Sequence, residues 1–213
     1  MPFLFDEATH TYTNDGVPVI SVTKLLEIEG LSDWSSVPAE KLEYAKALGS
    51  AVHRGSELYE LGKLDESTVD EPVRKRLVQW VKFLDFAKGK GWTTGEKWVE
   101  PRLYSSIGVA GTPDRIYYNA GFVFIPDIKT GCKTPAAPIQ TSAYEILARD
   151  LLAGKWPNGF LSGEVKPVKK VMRMAVYLKD DSFEIVEHKN PIDAAIFRSA
   201  LNLYTFKKRE GLL

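Results

Sequence analysis

The feature that most constrains this chain is the segment 108–131, GVAGTPDRIYYNAGFVFIPDIKTG. Two apolar runs flank the turn residues NAG, a pattern that predicts a β-hairpin. Asp114 falls in the first predicted strand, and Asp127 and Lys129 fall in the second. Because side chains alternate along a strand, Asp127 and Lys129 should share one face while Ile128 points to the other. A pairing that sets Asp114 across from them would bring two carboxylates and an ammonium together beside an apolar sheet.

Charges in such a position are costly unless a metal ion or a partner compensates them. Two carboxylates suit a hard divalent cation such as Mg²⁺, which prefers oxygen ligands. A lysine beside the metal can hold an attacking water or offset charge that develops on a phosphate. A surface salt bridge on a strand would also account for Asp-Ile-Lys, so the metal-site interpretation depends on what the rest of the chain places around it.

Composition sets wide limits on the function. The chain has 213 residues, a formal net charge of zero, 44% hydrophobic residues and 26% charged residues, which is ordinary for a globular protein. Neutrality argues against a surface coated in basic charge but leaves room for a local basic groove. Cys132 is the only cysteine, which excludes an internal disulfide and a four-cysteine zinc or iron–sulfur site within one chain. No apolar run approaches ~18 residues and the N-terminus lacks the features of a signal peptide, so we expect a cytoplasmic protein without membrane contact.

Helical periodicity predicts a helix over residues 39–61. His53 and Glu57 are spaced i, i+4 on this helix and should point into the same space. A lone histidine on a helix is more often a surface or core residue than a metal ligand. The two side chains therefore become site candidates only together with the acidic hairpin downstream.

Three more candidates lie on either side of the hairpin sequence. Glu100 falls in a strand predicted over residues 96–103, where it would be an additional acidic ligand or a strand-edge charge. Gln140 and Tyr144 are spaced i, i+4 on a helix predicted over residues 136–152, so they should share a face. Taken alone, this last pair carries almost no information about function.

Several motifs together resemble one nuclease superfamily. Pro-Asp at 113–114 followed by Asp-Ile-Lys at 127–129 resembles the PD-(D/E)XK signature. Gly-x-x-x-His-x-x-x-Glu over residues 49–57 and Gln-x-x-x-Tyr over residues 140–144 resemble motifs of its RecB-like, lambda-exonuclease-like branch. H-x-Y-x-x-x-G-x-P-x-x-S-V-T over residues 10–23 resembles the N-terminal segment of its phage-type and mitochondrial members. Each motif is weak alone, but their joint occurrence in one order is specific.

The resemblance implies an α/β (α+β) fold with a restriction-endonuclease-like αβββαβ core. In such a fold a central mixed β-sheet is flanked by helices, and in this chain an N-terminal β-hairpin would precede it. A single nuclease domain is then expected over residues 1–213. Residues 1–30 would supply the hairpin and a short helix, and residues 39–213 would supply the core.

The resemblance also implies a divalent-metal-dependent DNA exonuclease that leaves 5′-phosphate and 3′-hydroxyl ends, in DNA recombination, repair or phage DNA processing. The implied cofactor is Mg²⁺ or Mn²⁺, without an iron–sulfur cluster. The implied metal ligands are His53, Asp114, Asp127 and the backbone carbonyl of Ile128, with Glu57 or Glu100 as a candidate addition. The implied catalytic residues are Asp114, Asp127, Lys129, Gln140 and Tyr144, among which Lys129 would position or help deprotonate the attacking water.

The implied partner is DNA, and a homo-oligomer or a recombination partner protein also fits the resemblance. Two clusters of basic residues are candidates for phosphate contacts or for solvated charges that protect a sheet edge. One comprises Lys166, Lys169, Lys170 and Arg173, and the other comprises Lys207, Lys208 and Arg209. Two alternatives stay open at this point. The chain could be a catalytically inactive DNA- or partner-binding module of the same fold, or a site-specific endonuclease.

Overall fold

The computed structural model describes residues 3–7, 9–153 and 168–213. Within these residues, nine strands and five α-helices follow one another along the chain. The strands are β1 (Phe3–Asp6), β2 (Thr11–Asn14), β3 (Val17–Ser21), β4 (Leu103–Ser105), β5 (Val109–Gly111), β6 (Tyr117–Asn119), β7 (Phe122–Lys129), β8 (Lys170–Leu178) and β9 (Phe183–His188). The helices are α1 (Val22–Ile28), α2 (Ala39–Glu60), α3 (Glu71–Gly89), α4 (Ala136–Leu152) and α5 (Ile192–Arg209).

Hydrogen bonding joins the strands into two mixed sheets. One sheet has the order β1-β2-β3-β5-β4, and the other has the order β6-β7-β8-β9. The pairs β3–β5 and β7–β8 are parallel, and the neighbouring pairs are antiparallel. Helices α3 and α4 both pack against β8, and α4 also packs against β7. The predicted α/β fold with helices flanking a mixed sheet is confirmed, as is the N-terminal hairpin, which β2 and β3 form.

Strand β7 separates two apolar clusters. Ile125 lies in one cluster with Leu147 of α4. Ile128 lies in the other cluster with Val52 of α2 and Trp80 of α3. Because side chains alternate along a strand, the odd-numbered positions of β7 face α4, and these include the predicted aspartate and lysine.

Local sequence signals account for the helix boundaries. Ser21 caps α1, since its Oγ accepts a hydrogen bond from the N–H of Lys24 at 3.1 Å. Helix α3 begins directly after Asp70 and carries Pro72 in its first turn, where a missing N–H costs nothing. In the part of the chain that the structure describes, no helix is both long and apolar enough to cross a membrane.

Two strand predictions next to the candidate site are wrong. Asp114 lies in a bend between β5 and β6 rather than inside a strand. Pro113 precedes it and lacks the N–H that a strand ladder uses, which disfavours continued pairing at this point. Glu100, predicted in a strand over 96–103, instead follows a short 3-10 turn, Glu96–Trp98, and has a left-handed φ of 50°.

Candidate metal centre

Three potential ligand atoms meet where α2, the segment before β4 and the bend before β6 approach one another. They belong to His53, Glu100 and Asp114, and all lie within 4.8 Å of one another. His53 Nδ1 lies 2.9 Å from Asp114 Oδ1. The second oxygen of Asp114, Oδ2, accepts a hydrogen bond from the N–H of Ile128 at 2.5 Å. A single buried carboxylate therefore connects helix α2 to strand β7.

The backbone around Glu100 carries its carboxylate into this group. Its N–H donates a hydrogen bond to the carbonyl oxygen of Asp114 at 2.9 Å. The preceding residue, Val99, forms a β-bridge with Arg115. The φ of 50° at Glu100 is unfavourable for a residue with a Cβ, and such backbone persists only where surrounding contacts enforce it. Backbone of this kind is concentrated at functional sites.

A chain of polar contacts runs beside these three residues, from β7 to α4. Lys129 Nζ lies 2.7 Å from Asp127 Oδ2 and donates a hydrogen bond to Gln140 Oε1 at 2.8 Å. Gln140 Nε2 in turn donates to the hydroxyl of Tyr144 at 3.0 Å. The structure thus links Asp127, Lys129, Gln140 and Tyr144 in one continuous series.

His53 and Asp114 shift each other's protonation. Burial alone would lower the pKa of His53, but the adjacent Asp114 carboxylate raises it to about 8. Burial favours the neutral form of Asp114, yet His53 and the hydrogen bond from Ile128 bring the pKa of this carboxyl below its usual value. Both shifts favour an imidazolium–carboxylate contact. A metal ion would compete with the proton for the same ring nitrogen.

Two further carboxylates, of the partly buried Glu100 and the buried Asp127, lack full compensation. Burial raises the pKa of Glu100 to about 7, and the nearby Asp114 charge adds to this effect. Burial also raises the pKa of Asp127, while the ammonium of Lys129 opposes the change. Glu100 Oε1 is shielded from solvent and accepts no hydrogen bond from any of the described residues. Shielded carboxylates beside an imidazole are a donor set that a divalent cation can bind and neutralise, so the residues present fit such an ion.

A cleft of about 610 Å³ opens beside the same group of ligands. Glu100 forms part of its wall, and the other lining residues include Phe3, Phe5, Trp98 and Arg102. The guanidinium of Arg102 lies over the ring of Phe5, 4.6 Å from the ring centroid. Aromatic rings and a cation therefore line the same cleft as Glu100.

Not every predicted ligand joins the group of three. The Glu57 carboxylate lies 2.5 Å from the guanidinium of Arg54 and lines the cleft. Asp127 is buried next to Lys129 rather than among the three atoms that come within 4.8 Å. Ile128 contributes its N–H to the site through Asp114, and a role for its carbonyl stays a prediction.

The predicted basic cluster does not gather at the site. Lys166 lies outside the described residues. Lys170 begins β8, and Lys169 directly precedes it. Because β8 pairs with the start of β7, Lys170 is about 23 Å along the strands from Lys129, and Lys169 is farther. Arg173 is buried, with 6% of its surface exposed. We therefore leave Arg173 out of any proposed DNA surface.

Sequence reasoning missed Arg115, which lies directly behind the three ligand-bearing residues and is fully buried. Two residues of α2, Ser56 and Glu60, contact it. Two signals could have pointed to this cluster. Arg115 directly follows the candidate ligand Asp114, and Glu60 lies two helical turns after His53 on the same face.

The chain matches no known protein family, and it matches no curated protein. Among solved structures it resembles a crystal structure named "Putative exonuclease" from Eubacterium rectale, with a TM-score of 0.48 and 13% sequence identity. The match covers 93% of this chain and 79% of the other. A likeness this remote does not place the chain in a family, so its function has to be argued from the site itself.

Proposed function

We propose that this protein is a divalent-metal-dependent nuclease that hydrolyses phosphodiester bonds from a DNA end and leaves 5′-phosphate and 3′-hydroxyl products. The observation that carries the proposal is the convergence of His53, Glu100 and Asp114 within 4.8 Å, next to the Lys129 ammonium. The PD-(D/E)XK-like spacing of the sequence motifs supports the reaction class, and their RecB-like character supports action at ends.

The three convergent residues would hold the Mg²⁺ or Mn²⁺ ion. When bound, this ion would supply Lewis-acid stabilisation of the charge that builds on the phosphate. Asp127 and the carbonyl of Ile128 remain proposed ligands on the strength of the motif. Burial of the carboxylates lowers the local dielectric response, which strengthens each electrostatic contact with a phosphate.

Lys129 would orient the attacking water and offset negative charge at the phosphate. Its ammonium is fixed from two sides, by Asp127 Oδ2 at 2.7 Å and by Gln140 Oε1 at 2.8 Å. Tyr144 completes the support by accepting a hydrogen bond from Gln140 at 3.0 Å. Fixing the lysine in advance saves the reorganisation that a mobile side chain would need during the reaction.

The cleft beside Glu100 is the proposed route for the DNA end. Rings such as Phe5 and Trp98 can stack on bases that have left the duplex. Arg102, which also lines the cleft, can contact a phosphate. A bound cation would offset the repulsion that the acidic residues of the cleft wall exert on DNA.

One assay tests the proposed function. Purified protein is incubated with Mg²⁺ or with EDTA on linear duplex, single-stranded and circular DNA, labelled separately at each end. We expect metal-dependent, stepwise loss of label from one end and resistant circles. Asp114→Asn, which keeps the side-chain shape, should lower the rate by at least about 100-fold. Asp85→Asn, an exposed aspartate on α3, is the matched control and should cleave at the wild-type rate.

Three results would contradict the proposal in different ways. Full Mg²⁺-dependent cleavage by Asp114→Asn would refute the site assignment. Rapid cutting of circular DNA would indicate an endonuclease. DNA binding without cleavage in any metal would indicate a binding module that has the fold but no activity.

A further inference from the structure

Arg115 is a charged side chain with no exposed surface, held in the interior by a set of specific partners. Its Nε donates to Glu60 Oε1 at 2.6 Å, and its Nη2 donates to Ser56 Oγ at 3.1 Å. The guanidinium also lies over the indole of Trp80, 5.4 Å from the ring centroid. Trp80 Nε1 donates to the same Glu60 oxygen at 2.9 Å, so the counter-ion is itself fixed.

The same guanidinium reaches all three of the residues that converge at the candidate metal centre. Its Nη1 donates to the backbone carbonyl of Asp114 and lies 3.8 Å from Glu100 Oε1. It reaches His53 through one intermediate, because Ser56 Oγ accepts from Arg115 and donates to the carbonyl oxygen of His53 at 2.8 Å. The guanidinium of Arg115 therefore contacts helix α2, the bend that carries Asp114 and the irregular segment that carries Glu100.

Stability alone does not account for this arrangement. Taking two charges out of water can cost more than a buried ion pair returns, and replacement by well-packed apolar residues is often neutral or stabilising. The guanidinium can instead fix the relative positions of its partners. Its five N–H donors lie in one plane and bind several acceptors in defined directions. A lysine has the charge but not this fixed fork.

We propose that Arg115 is a positioning residue, which holds His53, Glu100 and Asp114 at the spacing that a divalent cation requires. The inference rests on the proposed metal-dependent function but adds a residue that does not touch the metal. It explains why Glu100 keeps a left-handed backbone, since the carbonyl that receives its N–H is also bound by Arg115. It also explains why the fully buried position 115 carries an arginine rather than an apolar residue.

The chain offers a matched control in Arg173. This arginine is also buried, and it pairs with Glu145 Oε2 at 3.2 Å and Asp193 Oδ2 at 2.9 Å. It donates to the carbonyl of Pro138 at 2.7 Å, in the way that Arg115 binds a backbone carbonyl. None of these partners is one of the three convergent residues. A loss of packing or of a buried ion pair should therefore affect both arginines, whereas a positioning role should be confined to Arg115.

The experiment measures Mn²⁺ affinity by isothermal titration calorimetry on the full chain, with unfolding in urea recorded for each variant. We expect Arg115→Lys to raise the Mn²⁺ dissociation constant by about 10- to 100-fold, as loss of an outer-sphere partner does. Arg173→Lys should leave it within about twofold. The double variant Arg115→Met with Glu60→Met removes both buried charges together, so it should fold, and it should weaken Mn²⁺ binding as much as Arg115→Lys does.

Each remaining outcome overturns a distinct claim. Wild-type Mn²⁺ affinity in Arg115→Lys and in the double variant, with binding lost in His53→Ala, would overturn the positioning role and leave the metal centre intact. Equal weakening by Arg173→Lys would also overturn it, because the effect would then be general loosening. Unchanged Mn²⁺ binding in His53→Ala would overturn the metal centre itself, and the inference with it.

Discussion

The Lys129 ammonium contacts two side chains that lie on different secondary-structure elements. Asp127 is two positions earlier on β7, and Gln140 is one turn into α4. The pairing with Asp127 follows from strand alternation and could be predicted from sequence. The contact with Gln140 could not be derived from residue spacing, because it depends on how α4 packs across the sheet.

The first prediction concerns this shared ammonium. Gln140→Ala should lower the cleavage rate about tenfold, because the lysine loses one of the two partners that orient it. Lys129→Ala should lower the rate further, and the double variant should be no slower than Lys129→Ala, since both changes act through one group. The measurement is kcat on end-labelled DNA for the four proteins of the cycle.

A second glutamine–lysine contact supplies the control for this cycle. On α3, Lys82 Nζ donates to Gln79 Oε1 at 3.0 Å, away from the site. Gln79→Ala should cleave at the wild-type rate. If the effects of Gln140→Ala and Lys129→Ala simply multiplied in the double variant, the two side chains would be acting independently and the proposed coupling would be wrong.

Glu100 shows where residue-level prediction from sequence stops. The residue was a candidate ligand, but the sequence placed it in a regular strand and left its role open. Its carboxylate reaches His53 and Asp114 because the backbone turns through a left-handed φ, and no residue in the pattern signals that turn. Arg115 was missed for a similar reason, since a basic residue after an aspartate is usually solvated.

Strand β9 and helix α4 are connected by a hydrogen bond between His188 and Thr141. His188 Nδ1 lies 2.8 Å from the hydroxyl oxygen of Thr141. Burial lowers the pKa of His188 to about 4, and the neighbouring charge of Arg173 contributes to the same shift. Lys129 acts in the same direction and Asp193 opposes them.

This depressed pKa gives a prediction for stability against pH. The unfolded chain binds a proton at His188 near pH 6.5, whereas the folded chain does not until about pH 4. The free energy of unfolding should therefore fall as pH drops through this window. The slope from this residue should stay below the limit of about 1.4 kcal/mol per pH unit for one proton, because His188 is partly exposed to solvent. In His188→Asn the slope of urea-unfolding free energy between pH 4 and 6.5 should be smaller. An unchanged slope would show that His188 does not titrate this way.

Helices and strands differ in how well the sequence predicted them. Helix α4 has the predicted bounds, and α2 ends one residue before the predicted end, because helical periodicity and capping are local. The parallel pairing of β3 with β5, which sets Ile20 opposite Val109, joins distant parts of the chain. No local sequence pattern specifies which distant strand will pair with β3. The division of the nine strands into two sheets could therefore not be predicted from the sequence.

Across the whole molecule, positive and negative charges are equal in number but unevenly distributed in space. The chain has equal numbers of acidic and basic residues, yet the carboxylates of Glu100, Asp114 and Asp127 are gathered in and beside the candidate centre. One imidazole, one ammonium and the buried Arg115–Glu60 ion pair lie around them. The N-terminal hairpin is tied in by a 2.7 Å contact between the Tyr12 hydroxyl and Thr112 Oγ1, two residues before Asp114. The proposed divalent cation would compensate these carboxylates.

Anomalous diffraction from crystals of the protein soaked in Mn²⁺ tests this claim most directly, because it locates the ion without relying on activity. We expect one strong peak within about 2.5 Å of His53 Nδ1 and of a carboxylate oxygen from both Glu100 and Asp114. The peak should vanish in Asp114→Asn crystals of the same form. Mn²⁺ bound only elsewhere on the protein, or no peak among these three residues at saturating Mn²⁺, would contradict the account.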